Sequence, residues 1–449
     1  MRKIRFVRNM GLFGSVMLGL GFIIGSGIFI MPLVAGKAAG TFSLISWVIA
    51  GIYCILAGLA FAECALKMPK AGGLYSYAHA AFGNFFGFLA GWTFWLGYTM
   101  TIATEQWAIG MYLHFFIPQL NDITRVIIAV TIGYILTYIN FRGIKGASET
   151  EDVFTIGKLL PLLLFALVGL AFFNLSNLFP LLPQGTAPLT AIASGIIIVL
   201  WAYQGAEIIT VPEEEIKNAK RTVPKAIIIS VVTVMVLYLM ISIAFLGSVH
   251  WQDYANSQSP LADVFRDLTQ SKLGQIGGII IAFGGLISII GALNAVILAA
   301  SRISFAMARD GLFPKVFSKL HPKHKTPYTA LLLQVIIATV VTFTIPDFTV
   351  LAALVVLFTI IPYMFSSFAT VRLINREKGR THVLYHKAIA YIAGFASLAL
   401  LGIYIEQPFV LVLGGILILA GIFVYLHIRR KHKIKKPSTK HMHPRNMVD

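Results

Sequence analysis

Gly25-Ser26-Gly27 interrupts an apolar run that extends from Leu18 to Met31. Glycines at such a place release backbone amides and carbonyls from helical pairing, and in hydrocarbon those groups persist only where protein or a cavity satisfies them. One half-helix ending where another begins sets free carbonyls against free amides and a positive helix end. That pair of poles matches the ammonium and carboxylate of an α-amino acid. The competing reading is a flexible kink or a packing contact. Against it stands a second interruption, Trp201-Ala-Tyr-Gln-Gly-Ala-Glu207, in a corresponding place further along the chain.

Three ionisable residues fall inside apolar segments. Glu207 would cost about 2.5–3.5 kcal/mol at mid-span, a penalty tolerated at interior, functional positions. It is a candidate proton carrier, a neutral donor steadying the broken helix, or a structural acid tying the Gly205 amide to a neighbouring helix. Glu105 follows Trp95 and Tyr98 at helical spacing. It is suited to pair a cationic substrate side chain, relay a proton or anchor an interhelical hydrogen bond. Lys158, beside Pro161, either clamps the first span to the eighth as an ammonium standing in for a sodium ion, or snorkels toward the near membrane face. Trp95, Tyr98 and Trp201 offer hydrophobic or cation-π walls, or simply pack. Glu63 with Lys67 and Lys70 lies close to a span end and reads as structural.

The elements that must carry these residues are set by composition. With 57% hydrophobic and only 12% charged residues over 449 positions, the chain lies far outside soluble domains. Stretches able to cross about 30 Å of hydrocarbon number about twelve. They fall near 11–35, 42–66, 85–113, 123–141, 152–173, 190–210, 226–249, 275–302, 328–345, 348–371, 386–404 and 409–428. This is one all-α integral membrane domain, residues 1–428, followed by a basic tail, 429–449, which contains His432, His441 and His443. A solvated tail facing anionic lipid accounts for those histidines better than a metal site. The first apolar segment has no cleavage site and is expected to remain as a span.

The net charge of +18 is a topology signal. With the N-terminus in the cytoplasm, all of the 36 Lys and Arg except Lys37, Arg125, Lys158, Arg266 and Lys272 fall on cytoplasmic segments. Both termini are then cytoplasmic, and no nucleic acid partner is needed to explain the charge. Spans one to five and six to ten are odd in number, so the second set enters from the opposite side, and each set opens with an interrupted helix. That is a five-plus-five inverted repeat with discontinuous helices one and six, and two additional helices. Gly83, Gly87 and Gly91 stand at fourfold spacing and permit close helix approach. Cys54 and Cys64 lie too far apart along one helix to form a disulfide. The string Gly19-Leu-Gly-Phe-Ile-Ile-Gly25 has no preceding strand and no following acid, so a nucleotide site is rejected.

Taken together, Gly25-Ser-Gly-Ile-Phe29, Pro69-Lys-Ala-Gly-Gly-Leu-Tyr75, Gly205-Ala-Glu207 with Pro212-Glu-Glu-Glu-Ile-Lys-Asn218 and Val223-Pro-Lys-Ala226, and Ser301-Arg-Ile-Ser-Phe-Ala-Met-Ala-Arg-Asp-Gly-Leu-Phe-Pro314 resemble the amino acid-polyamine-organocation superfamily along nearly the whole chain. Trp92-Thr-Phe-Trp-Leu-Gly-Tyr98 with Glu105, and Glu149-Thr-Glu151 leading to Lys158, look most like its bacterial amino acid permeases. The resemblance implies alternating access, usually with proton symport and sometimes exchange. It also implies that Ile23, Ile24, Ser26 and Gly27 contact the substrate's ammonium and carboxylate through the backbone, with Trp201 and Tyr203 near its side chain or gates. Two positions depart from the pattern. Ala219 replaces a usual Pro after Asn218, on a cytoplasmic loop, and Gln204 replaces a usual apolar or small residue before Gly205, which leaves the substrate class open.

The expected function is transport of α-amino acids across the cytoplasmic membrane with a proton as driving partner. The site is Ile23, Ile24, Gly25, Ser26, Gly27, Tyr98, Trp201, Tyr203 and Gly205, with Glu105, Glu207 or Lys158 carrying charge or proton. An exchanger of an amino acid for its amine is the alternative within transport, and a non-transporting nutrient sensor the alternative outside it. Short loops and the lack of a signalling domain weigh against the sensor. No carbonyl or charge ring marks a channel filter, and no nucleophile, metal cluster or acid-base pair makes an enzyme. No cofactor is expected.

Overall fold

A computed structural model describes residues 10–67, 73–142, 147–210, 216–268, 272–324, 326–375 and 383–431, with the backbone alone for 147–156, 383 and 431. Pro69 to Gly72 with Lys70, Pro212 to Glu215 and the histidine-bearing tail from 432 onward lie outside the described residues, as do the side chains of Glu149 and Glu151. Among the described residues the fold is helical, with one isolated bridge between Met10 and Ile216.

The first expected span is two helices, α1 (Leu12–Ile23) and α2 (Gly27–Ala39), and the second is α3 (Ser43–Lys67). A short helix α4 (Leu74–Phe82) precedes α5 (Asn84–Phe116), α6 (Asp122–Arg142) and α7 (Ala147–Ala171). The next five passes begin with α8 (Pro188–Tyr203), which runs through an irregular link into a 3-10 segment, Ala206–Thr210. They continue with α9 (Ala219–Ser248), the short α10 (Pro260–Leu268), α11 (Lys272–Arg309), α12 (Tyr328–Thr344) and α13 (Phe348–Asn375). Two further passes, α14 (Val383–Ile403) and α15 (Pro408–Lys431), complete the described helices. Each expected span coincides with a helix, and both interruptions fall where the glycines stand.

Hydropathy varies among these passes for a physical reason. Seven stretches of described helix are long and apolar enough to cross a membrane on length and composition alone, among them the stretch from Gly27 to Lys67. Others are shorter, such as α1 and α8, because a broken helix divides one crossing between two pieces. Phe409, Val412, Leu419 and Phe423 stand exposed along α15, and Ile392 and Phe395 along α14, as expected of faces that meet lipid.

The interior is organised around α5, which packs along both α11 and α13. Gly91 brings α5 against Met307 of α11 and Tyr75 of α4, and Gly87 brings it against His79. Gly83 differs from that expectation: it has a positive φ of 88° and nothing within 4 Å of a Cβ built on it. It forms the turn from α4 into α5, a backbone requirement and not a packing one.

Two short helices, α4 and α10, lie outside the expected spans. α10 buries Leu261, Ala262, Val264 and Phe265 while Arg266 on its open side pairs with Asp263 at 3.1 Å and Asp267 at 2.9 Å. On the same face of the molecule Lys37, near the end of α2, donates to the Ala255 carbonyl at 3.0 Å. On the opposite face the segment before α1 is strapped to the segment after the second interruption. There the Lys217 amide donates to the Met10 carbonyl at 2.8 Å beside the Met10–Ile216 bridge.

Candidate functional site

At the first break the α-helical ladder ends with the Ile24 amide on the Leu20 carbonyl, and the Gly25 amide turns back to Ile23 at 3.1 Å. The last carbonyls of α1 lose their partners four residues on. Side chains from three other helices answer them: Lys158 Nζ donates to Gly21 at 2.9 Å, Tyr238 to Ile23 at 3.1 Å and Ser288 to Ile24 at 2.9 Å. Helices α7, α9 and α11 thus hold the break open.

At the second break Gln204 is extended and Gly205 takes a φ of 120°, a conformation reserved for glycine. A Cβ on Gly205 would stand 3.1 Å from the Phe22 carbonyl carbon, and one on Gly27 would stand 2.6 Å from Ala202 Cα. The glycines therefore let the two broken helices touch backbone to backbone. Glu207 fixes this link. Its Oε2 accepts from the Gly205 amide at 3.1 Å and Tyr363 at 2.5 Å, and its Oε1 accepts from Tyr98 at 3.0 Å. Three donors converge on one buried carboxyl, which is the arrangement of a structural acceptor tying the 3-10 segment to α5 and α13.

Between the breaks lies a cavity of about 60 Å³, room for on the order of five water molecules. Ile23, Gly25, Gly27, Tyr98, Glu105, Trp201, Gly205 and Glu207 line it, as do Phe22, Thr101, Gln204, Ala292, Val296 and Thr359. The Glu105 carboxyl lies beside the Ser26 amide and hydroxyl, and its Oε1 would be 3.0 Å from a Cβ on Gly25. Ser26 Oγ, Glu105 Oε2 and Trp201 Nε1 are buried with no hydrogen-bond partner. Buried polar atoms are rarely left so; two of these, Glu105 Oε2 and Trp201 Nε1, belong to residues that line the cavity, and Ser26 Oγ lies in the first break beside it.

Four expected residues stand outside the lining. Ile24 and Ser26 are fully buried in the first break, and Ile24 has its carbonyl on Ser288. Tyr203 points to α3, donating to the Trp47 carbonyl at 3.0 Å with its ring edge-on to Trp47. It follows Trp201 by two residues, and a helix turns residues so spaced to different faces. Lys158 is 1% exposed and lies between α1 and α11, its Nζ 3.1 Å from where a Gly291 Cβ would be. It is interior, and the snorkelling alternative is excluded. Trp95, expected as a wall, donates instead to Gln334 and packs against Phe313.

The lining contributed by α11 and α13, Ala292, Val296 and Thr359, was not marked by any sequence signal. These are small or apolar residues in apolar helices, indistinguishable there from packing. Gln204 was visible as a polar residue out of place beside Gly205.

Comparison with known proteins finds relatives among transporters. A branched-chain amino acid permease, BcaP, of Bacillus subtilis (strain 168) is 27% identical over 443 residues, covering 95% of this chain and 94% of that protein. A methylthioribose transporter of the same organism is 28% identical over 337 residues, covering 72% and 71%. Its serine/threonine exchanger SteT is 28% identical over 382 residues, covering 83% and 84%. These relatives are named as permeases and transporters, and the substrates in their names differ. Residues 10–432 match the family described as amino acid permease, and the chain, a multi-pass membrane protein with two broken helices around a shared cavity, belongs to that family.

Proposed function

We propose that this chain is a secondary active transporter that carries α-amino acids with a proton across the cytoplasmic membrane, alternating between outward-open and inward-open states around the cavity between its two breaks. Both termini lie in the cytoplasm in this reading, in keeping with the distribution of Lys and Arg. The observation that carries the proposal is the pair of unpartnered buried groups, Glu105 Oε2 and Trp201 Nε1, on residues that line one small cavity between the two breaks. The amides and hydroxyl at Ser26 and Gly27 would take the carboxylate, and carbonyls of the first break and Glu105 would take the ammonium. The Ile24 carbonyl accepts one hydrogen bond, from Ser288, and keeps a second lone pair, whereas the Ile23 carbonyl already accepts two, from the Gly25 amide and Tyr238.

Glu105 is the residue assigned the proton, because Glu207 is committed to three donors while Glu105 keeps an oxygen free. Lys158 steadies the break through Gly21. The deciding measurement is uptake of radiolabelled amino acids into proteoliposomes under an imposed pH gradient. Accumulation that requires the gradient supports symport, and no accumulation of any amino acid removes it. The relative named as an exchanger favours one second reading, obligatory exchange. Uptake that needs internal substrate and ignores the gradient would identify it.

A further inference from the structure

We infer that Gln204 makes the site selective for short, neutral α-amino acids whose side chains carry a hydroxyl or carboxamide. The inference rests on the amino acid transport reading above. Gln204 Nε2 donates to Thr359 Oγ1 at 2.5 Å, and Thr359 lies in α13, on the far wall of the cavity. The single hydroxyl hydrogen of Thr359 is directed to the Val355 carbonyl at 2.8 Å, so toward Gln204 this hydroxyl only accepts. That fixes which end of the amide faces α13. Oε1 is turned away from Thr359 and has no hydrogen-bond partner among the described residues. Thr359 is itself buried and oriented by its hydroxyl contacts to the Val355 and Val356 carbonyls of its own helix.

The remaining walls narrow the choice. Among the described residues no Lys, Arg or His lines the cavity, so an acidic side chain would enter without a countercharge. The cavity is narrow, which favours a short side chain. A branched apolar side chain has a suitable size but buries the Gln204 amide oxygen without a donor, and an unanswered buried polar group lowers affinity about tenfold or more. A hydroxyl or carboxamide supplies the donor. Gln204 belongs to the irregular link between α8 and Gly205, so its amide is set by the break itself and meets the substrate beside its head group.

Threonine and valine share a shape and differ by a hydroxyl for a methyl, which makes them the test pair. Uptake into proteoliposomes should favour threonine over valine about tenfold, and Gln204→Leu should collapse that ratio toward one. Thr359→Val, which releases the amide from α13, should lower it as well. A wild-type ratio of one or below, or a ratio unchanged by Gln204→Leu, overturns the inference while leaving amino acid transport standing. Melting of the purified wild-type protein with either ligand reads the pocket independently of flux. Stabilisation by threonine and not valine supports the inference even where uptake fails, and equal stabilisation overturns it.

Discussion

At Glu207 a carboxylate with two oxygens meets three donors, and that stoichiometry sets what a substitution does. Glu207→Gln keeps one acceptor oxygen, enough for the Gly205 amide and Tyr363, and turns an amide nitrogen toward Tyr98, whose hydroxyl must reverse to accept, so it should destabilise the fold by about 1–2 kcal/mol. Thermal unfolding in detergent checks this, with Tyr363→Phe, which leaves two donors in place, expected to cost about half as much. Lys158→Met leaves the Gly21 carbonyl without its donor. Its initial uptake rate should fall about tenfold, corresponding to about 1.4 kcal/mol, and a full wild-type rate would show that the contact is dispensable. Both acids and the lysine were legible in the sequence because charge inside an apolar segment is costly and therefore conspicuous. Their partners were not. Tyr238, Ser288 and Tyr363 are unremarkable polar residues in helices far along the chain, and which way each points depends on helix rotations that no local pattern encodes. For the same reason the sequence does not show that Trp95 turns to Gln334 or Tyr203 to Trp47.

The helices themselves follow from apolar runs, and the two breaks from glycines that recur in corresponding places of the two halves, whereas glycines such as Gly87 and Gly91 serve close packing. The glycines also make predictions that separate tight contacts from open ones. Gly27→Ala drives a methyl into Ala202 of α8, and Gly205→Ala adds backbone strain to a close contact with α1. Each should cost about 1–3 kcal/mol and abolish substrate-induced stabilisation. Gly415→Ala on α15 meets nothing within 4 Å and should leave melting and uptake unchanged. Expression, melting temperature and uptake of the three variants side by side measure the contrast. The short helices α4 and α10 escaped sequence reading because each is too brief and too polar to register as a span, although α10 has a clean apolar face.

Across the whole molecule, basic residues gather on one face, and the orientation proposed from them is directly testable. Cys54 and Cys64 are both free and buried, so a membrane-impermeant thiol reagent should find no native target. Exposed positions on opposite faces then report sidedness: Lys37→Cys should label in intact cells, and Lys319→Cys only after permeabilisation. The reverse pattern would invert the topology. The strap between Met10 and the residues after the second break bears on how this body moves. Because it joins main chain to main chain, proline at Lys217 is the substitution that removes its donor, and the segments before the first broken helix and after the second share an anchor at that face. In the transport cycle proposed above, a shift of either broken helix would be felt by the other through this contact.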